Sequence, residues 1–160
     1  AAEVSRLVRL VETEGVDTVA SLWADSAGDS LPGALWRLYM LREWIRRAPL
    51  EVADRYALGS RRAEVADAVA GLPHPPTPQE VAELADAVLT GAVTADLDVA
   101  LDRAAAFYRV VGTGTALDAD LHDLPHGTEA ETATRRASNL VRTSEELRHA
   151  ARRARAGELQ

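Results

Sequence analysis

At 160 residues and 17.2 kDa, with 47 % apolar and 27 % charged residues, the sequence suits one domain of ordinary size, and its 17 Pro and Gly are too few for a low-complexity chain. The absence of cysteine removes a disulfide framework, a thiolate zinc site, an iron–sulfur cluster and a cysteine nucleophile. A net charge of −7 argues against nucleic-acid binding by the chain as a whole, because such domains present a basic face.

In chain order the sequence reads as a series of helices with no strand, an all-α bundle of about six to eight helices ending in a long C-terminal helix. Residues 3–14 place Val4, Leu7, Val8 and Val11 at helical spacing, with Gly15 as the stop. Asp17 caps a short helix to about Ala27. Ser30 caps the next, with Pro32 in its first turn, and Pro49 ends it after Ala48. Shorter helices follow at about 50–58, punctuated by Gly59, and at about 61–70, ending at Gly71. Pro73-His74-Pro75-Pro76 is a stiff connector, and Thr77-Pro78-Gln79-Glu80 is a capping box that opens a helix ending before Gly91. Thr94 caps a helix through about Val111, and residues 112–127, rich in Gly and Asp, read as a loop. Thr128-Glu129-Ala130-Glu131 opens the final helix, to about Ala156. The whole of 1–160 is expected to be one domain, with a core over 1–112, the loop at 112–127 and the helix at 128–156.

The helix at 31–48 is expected at the centre. Leu31, Leu35, Leu38 and Ile45 form one stripe, Trp36, Met40 and Trp44 a second, and Tyr39 lies between them. With Trp23 just upstream, these aromatics are either plain core or the wall of an aromatic ligand pocket. Arg42 follows Leu38 by four and so points toward the first stripe. A guanidinium there either lays its stem on the core and pairs with an acid, or forms an anion-binding site.

The final helix repeats small or apolar residues at Ala130, Ala133, Ala137, Leu140, Ser144, Leu147, Ala151 and Ala154. Alternation of three and four is the seam of a coiled coil, which closes either within the chain or between two chains. The same segment is basic. Residues 1–134 carry a net −11 and residues 135–156 a net +5, from Arg135, Arg136, Arg142, Arg148, Arg152, Arg153 and Arg155 against Glu145 and Glu146. Either this helix docks on the acidic body, or its arginines meet an acidic partner or a nucleic acid.

Sequence motifs for chemistry are missing. There is no G-x-G-x-x-G, Walker-type loop, H-E-x-x-H or G-x-S-x-G. His122 and His126 share an acidic stretch with Asp118, Asp120 and Asp123, but Pro125 separates them from any helical metal-ligand spacing, so a solvated loop is expected and no metal or cofactor. A helix-turn-helix about Gly59 fails because the second helix would present an acidic face. The tetrads Glu51-Val52-Ala53-Asp54, Glu64-Val65-Ala66-Asp67 and Glu80-Val81-Ala82-Glu83 recur at unequal spacing, which argues against a structural repeat. The longest apolar run, 104–108, falls far short of a membrane span, and no signal-peptide pattern opens the sequence. A soluble, cytoplasmic protein without membrane attachment is the expectation.

All 18 basic residues are Arg, and Ile, Asn, Phe and Met occur once each, which points to a GC-rich gene and explains part of the 31 Ala. The stretch Leu22-Trp23-Ala24-Asp25, taken with Leu31-Pro32-Gly33-Ala34-Leu35-Trp36-Arg37-Leu38-Tyr39, resembles an all-helical actinobacterial family of unknown function. That resemblance covers the first half better than the C-terminal helix and implies no activity or catalytic residue. Three functions stay open. The first is a non-enzymatic interaction or regulatory protein, binding a partner or itself through Ala137, Leu140, Leu147, Arg135, Arg142, Arg148 and Arg152. The second is a bundle that binds a small anionic or aromatic ligand through Arg42, Trp23, Trp36, Tyr39 and Trp44. The third is nucleic-acid binding through the Arg-rich helix.

Overall fold

The computed structural model describes residues 23–62, 79, 80, 83, 86, 87, 97–121 and 127–160. Among these the chain is all-helical, in four helices: α1 Leu31–Arg47, α2 Pro49–Gly59, α3 Leu97–Leu121 and α4 Gly127–Arg155. The count of six to eight has no support from them. The helix expected at 3–14, most of those expected at 17–27 and 61–70, the prolyl connector and the capping box's Thr77 and Pro78 lie outside the described residues; Arg61 and Arg62 lie in a turn.

Local signals set the ends of α1 and α2. Ser30 is extended, and its Oγ accepts from Gly33 N–H at 3.2 Å, which satisfies one of the donors a helix start leaves free. Ala48, at φ −139° and ψ 57°, ends α1 and starts α2. The residue before a proline is pushed out of the α region, and Pro49 itself suits a first turn, so one residue breaks the axis without an intervening loop. At the far end of α4, Gly157 adopts φ 74°; its N–H reaches Ala154 O at 3.1 Å and Glu158 N–H reaches Arg153 O at 2.8 Å. That double closure is a glycine-stopped helix end, and it falls where the sequence placed the end of the helix, near Ala156.

Helix α3 is the centre of the described structure, in place of the helix at 31–48. Ala100, Leu101, Ala104, Ala105, Ala106, Phe107, Tyr108, Val110 and Val111 are all buried in it. It runs antiparallel to α4: Gly112 lies under Leu140 and Val141, Ser144 Oγ donates to Ala105 O at 2.6 Å, and Arg155 reaches back to Asp98 and Asp102. On its other side α2 crosses it, with the Tyr56 and Phe107 rings stacked 5.3 Å apart. Helix α1 adds Leu38, Leu41 and Ile45 to the same core, and its second stripe faces outward more than expected, with Met40 42 % exposed.

Residues 112–121, expected as the first part of a loop, continue α3. Glycine in a helix costs ~1 kcal/mol against alanine, so Gly112 and Gly114 looked like a stop. Here they are contact points. A Cβ on Gly114 would collide with the Arg55 carbonyl oxygen, and one on Gly59 would collide with the Val110 carbonyl oxygen. The two helices therefore meet backbone to backbone, and the area buried there offsets the poor propensity. The hydroxyls of Thr113 and Thr115 donate back to Arg109 O and Val111 O at 2.9 and 2.8 Å, which satisfies each hydroxyl within the helix.

Candidate functional site

Among the described residues two places gather exposed or half-buried polar groups: the outer face of α4 and a cavity against α2.

The inner face of α4 is committed to the fold. Ala137, Ser144, Leu147, Ala150 and Ala151 are buried, and Leu140 and Ala154 pack on the core. The three-four seam therefore closes within the chain, against α3. Small side chains on both helices allow that close approach, and the Ser144 hydroxyl finds a backbone acceptor in place of water. Ala137, Leu140 and Leu147 are thus interior or nearly so.

The arginines of α4 divide into two sets. Arg153 lies 3.4 Å from Asp29 Oδ2, and His149 lies 3.7 Å from the same oxygen. Arg155 binds Asp98 at 3.1 Å and Asp102 at 2.7 Å, and these carboxylates, Asp102 foremost, raise its affinity for its proton. Arg136 stands over the Trp44 ring at 5.7 Å, with Glu51 4.0 Å away. These contacts hold a basic helix on an acidic body, one of the two roles its charge allowed. Arg135, Arg142, Arg148 and Arg152 form the other set. All four are exposed, and none has a carboxylate partner among the described residues. Arg142 touches only Asn139 Oδ1 at 3.1 Å, and Arg152 meets His149 Nδ1 at 3.4 Å.

The residues expected to form an aromatic or anionic ligand site do not converge on Arg42. Its Nε binds Asp86 at 3.1 Å and its Nη1 lies 3.7 Å from Glu43, so it is the paired arginine of the two alternatives. Trp36 and Tyr39 contact each other at 5.9 Å, Trp44 packs on the core beneath Arg136, and Trp23 is half-buried at the chain's entry to α1. Trp44 Nε1 is buried without an acceptor.

The second place was not foreseen. A cavity of about 230 Å³ lies against the outer side of α2, lined by Asp54, Arg55, Ala57, Leu58, Arg61 and, from the end of α3, Asp118. Asp54 and Leu58 lie one turn apart on α2, and Arg61 follows in the turn just beyond the helix end at Gly59. The arrival of Asp118 is not visible in the sequence, because it requires α3 to continue past Gly112. Arg55 is mostly buried, with Nη2 2.7 Å from Glu51 and Nη1 enclosed without an acceptor. Asp54 and Arg61 are exposed and make no ion pair among the described residues.

Among the described residues no group of three or more His, Asp or Glu is placed to hold a metal, and no helix is long and apolar enough to cross a membrane. His122 and His126, with most of the acidic stretch about them, lie outside the described residues, as does the second helix of the tested helix-turn-helix. Compared with protein-family models, curated proteins and solved structures, the chain matches none of them.

Proposed function

We propose that the chain is a non-enzymatic helical interaction protein that docks an acidic protein partner on the outer face of α4. One observation carries this reading: Arg136, Arg153 and Arg155 are spent inside the chain, while Arg135, Arg142, Arg148 and Arg152 stand exposed without carboxylate partners among the described residues. From Arg135 to Arg152 the helix rises ~25 Å at 1.5 Å per residue, the scale of a protein contact. Solvated arginines add little to stability, so their concentration on one helix of an acidic chain is better accounted for by recognition.

A protein fits this face better than a nucleic acid. Glu131 and Glu145 are exposed on the same helix, between and beside the arginines. A phosphate backbone would meet those carboxylates as well as the net −11 of residues 1–134, whereas a partner with its own mixed charges can complement each in turn. The seam residues Ala137, Leu140 and Leu147 act as the platform that holds the face rigid.

The test is capture of partners from a lysate of the source organism by the tagged chain and by an Arg142→Glu/Arg148→Glu/Arg152→Glu variant, each with and without nuclease. The expected result is an acidic protein retained by the parent after nuclease and lost by the variant, with the helical circular-dichroism signal of both chains equal. Partners that disappear with nuclease, or a partner retained equally by both chains, would overturn the reading.

A further inference from the structure

We infer that Ser138 is a phosphorylation site for a serine kinase that selects arginine-rich substrates, and that its phosphate switches off the arginine face of α4. The site stands on its own geometry; the switching rests on the docking reading above.

The run Arg135-Arg136-Ala137-Ser138 places guanidinium groups two and three residues before a hydroxyl, and residues 132–144 contain no acid. A kinase cleft lined with carboxylates reads such arginines through the paired hydrogen bonds a guanidinium makes with a carboxylate. Ser138 is exposed, and its hydroxyl makes no hydrogen bond among the described residues. Those of Thr143 and Ser144, by contrast, donate to Asn139 O and Ala105 O.

A kinase takes its acceptor in extended chain, so the start of α4 must open. Little holds it closed. From Glu129 to Asn139 the one buried residue is Ala137, whereas the next turns bury Ser144, Leu147, Ala150 and Ala151. Few buried apolar contacts mean a low free energy of local opening. Arg136 gives up only its place over the Trp44 ring and a 4.0 Å approach to Glu51.

The transfer joins Ser138 Oγ to the γ-phosphorus of ATP and breaks the bond from that phosphorus to the β–γ bridging oxygen. ADP leaves, and the hydroxyl proton passes to the kinase's catalytic carboxylate. Once the helix re-forms, a charge of about −2 sits between Arg135, three residues before it, and Arg142, four after. Residues at those spacings share a helix face, and arginine pairs with phosphate through two hydrogen bonds at once. Two of the four arginines left over on α4 are then taken by the chain's own phosphate, and the added negative charge repels an acidic partner.

The experiment takes the tagged full chain recovered from the source organism, and the purified folded chain incubated with ATP and a lysate of that organism. Trypsin cuts after Arg136 and Arg142, and Ser138 is the one hydroxyl residue between them, so phosphate on that peptide identifies the site. The expected result is phosphate on the peptide in both samples, and none in Ser138→Ala, whose Tm matches the parent's. Absence of phosphate from the peptide in both samples would overturn the site, as would labelling that appears only when the chain is first unfolded. Capture from lysate then compares the unmodified and phosphorylated chains, and retention of the acidic partner is expected to fall about tenfold with phosphate. Equal capture by both forms overturns the switching. If the unmodified chain captures no acidic protein, the docking reading fails and the switching with it, while the phosphopeptide still decides the site.

Discussion

Helices α3 and α4 are close in length, 25 and 29 residues, and lie against each other, yet they meet their surroundings in opposite ways. Helix α3 is packed on two sides, by α2 and by α4, and buries a continuous block from Ala104 to Tyr108. Helix α4 buries one stripe and gives the rest of its circumference to arginine, glutamate and small polar residues. The difference follows from position. A helix enclosed by neighbours must be apolar or small almost all round, and its glycines become contact points; a helix at the surface needs only one stripe and can spend its other face on recognition.

The comparison breaks first at the enclosed helix. Phe107 is fully buried and stacked on Tyr56, so Phe107→Ala is expected to cost about 3–5 kcal/mol, through lost burial and the cavity left behind. Denaturant titration measures it, and a loss under 1 kcal/mol would mean α3 is not the centre. Gly114→Ala probes the close crossing. Its new methyl group meets the Arg55 backbone, which cannot swing aside as a side chain would, so a loss of about 1–3 kcal/mol is expected where helix propensity alone predicts a gain.

Tyr108 supplies a smaller, pH-dependent contrast. Its hydroxyl donates to Arg37 O at 2.8 Å, and burial holds its pKa well above the ordinary phenol value, against a weaker opposing effect from the Arg37 charge. The folded state therefore keeps the proton after the unfolded state has lost it. This group's contribution is complete below the unfolded value of about 10 and falls as pH rises beyond it. Tyr108→Phe is expected to cost about 1 kcal/mol at neutral pH and to flatten the alkaline limb of the stability profile; an unchanged limb would show that another group governs it. The smallest effect belongs to the outer face of α4. Arg142→Ala and Arg148→Ala are expected to shift stability by no more than about 0.5 kcal/mol each, since neither pairs with a carboxylate among the described residues. A larger loss from either would make that face structural.

The cap at Ser30, the break at Pro49 and the seam of α4 were each legible, because each is written within a few residues of where it acts. The pairing of Arg42 was legible only as one of two alternatives, since its partner Asp86 is 44 residues away. Trp36, Tyr39 and Trp44 shared a helix and looked like one group, but helical phase alone does not say which neighbour covers which side. Gly112 and Gly114 were misread because a helix-breaking residue and a close-packing residue are the same residue in sequence.

The sequence by itself determined that this chain builds helices, where several of them start and stop, and that its C-terminal helix is a basic element on an acidic chain; periodicity, capping and charge are local properties. Tertiary structure alone decided that α3 and not α1 is the centre, that four arginines of α4 are left over while three are used, and that Asp118 meets Asp54, Arg55 and Arg61 around a cavity. Those outcomes depend on which surfaces meet across distant segments, and that is settled by the joint burial of apolar area and the pairing of buried charge, not by any one stretch of chain.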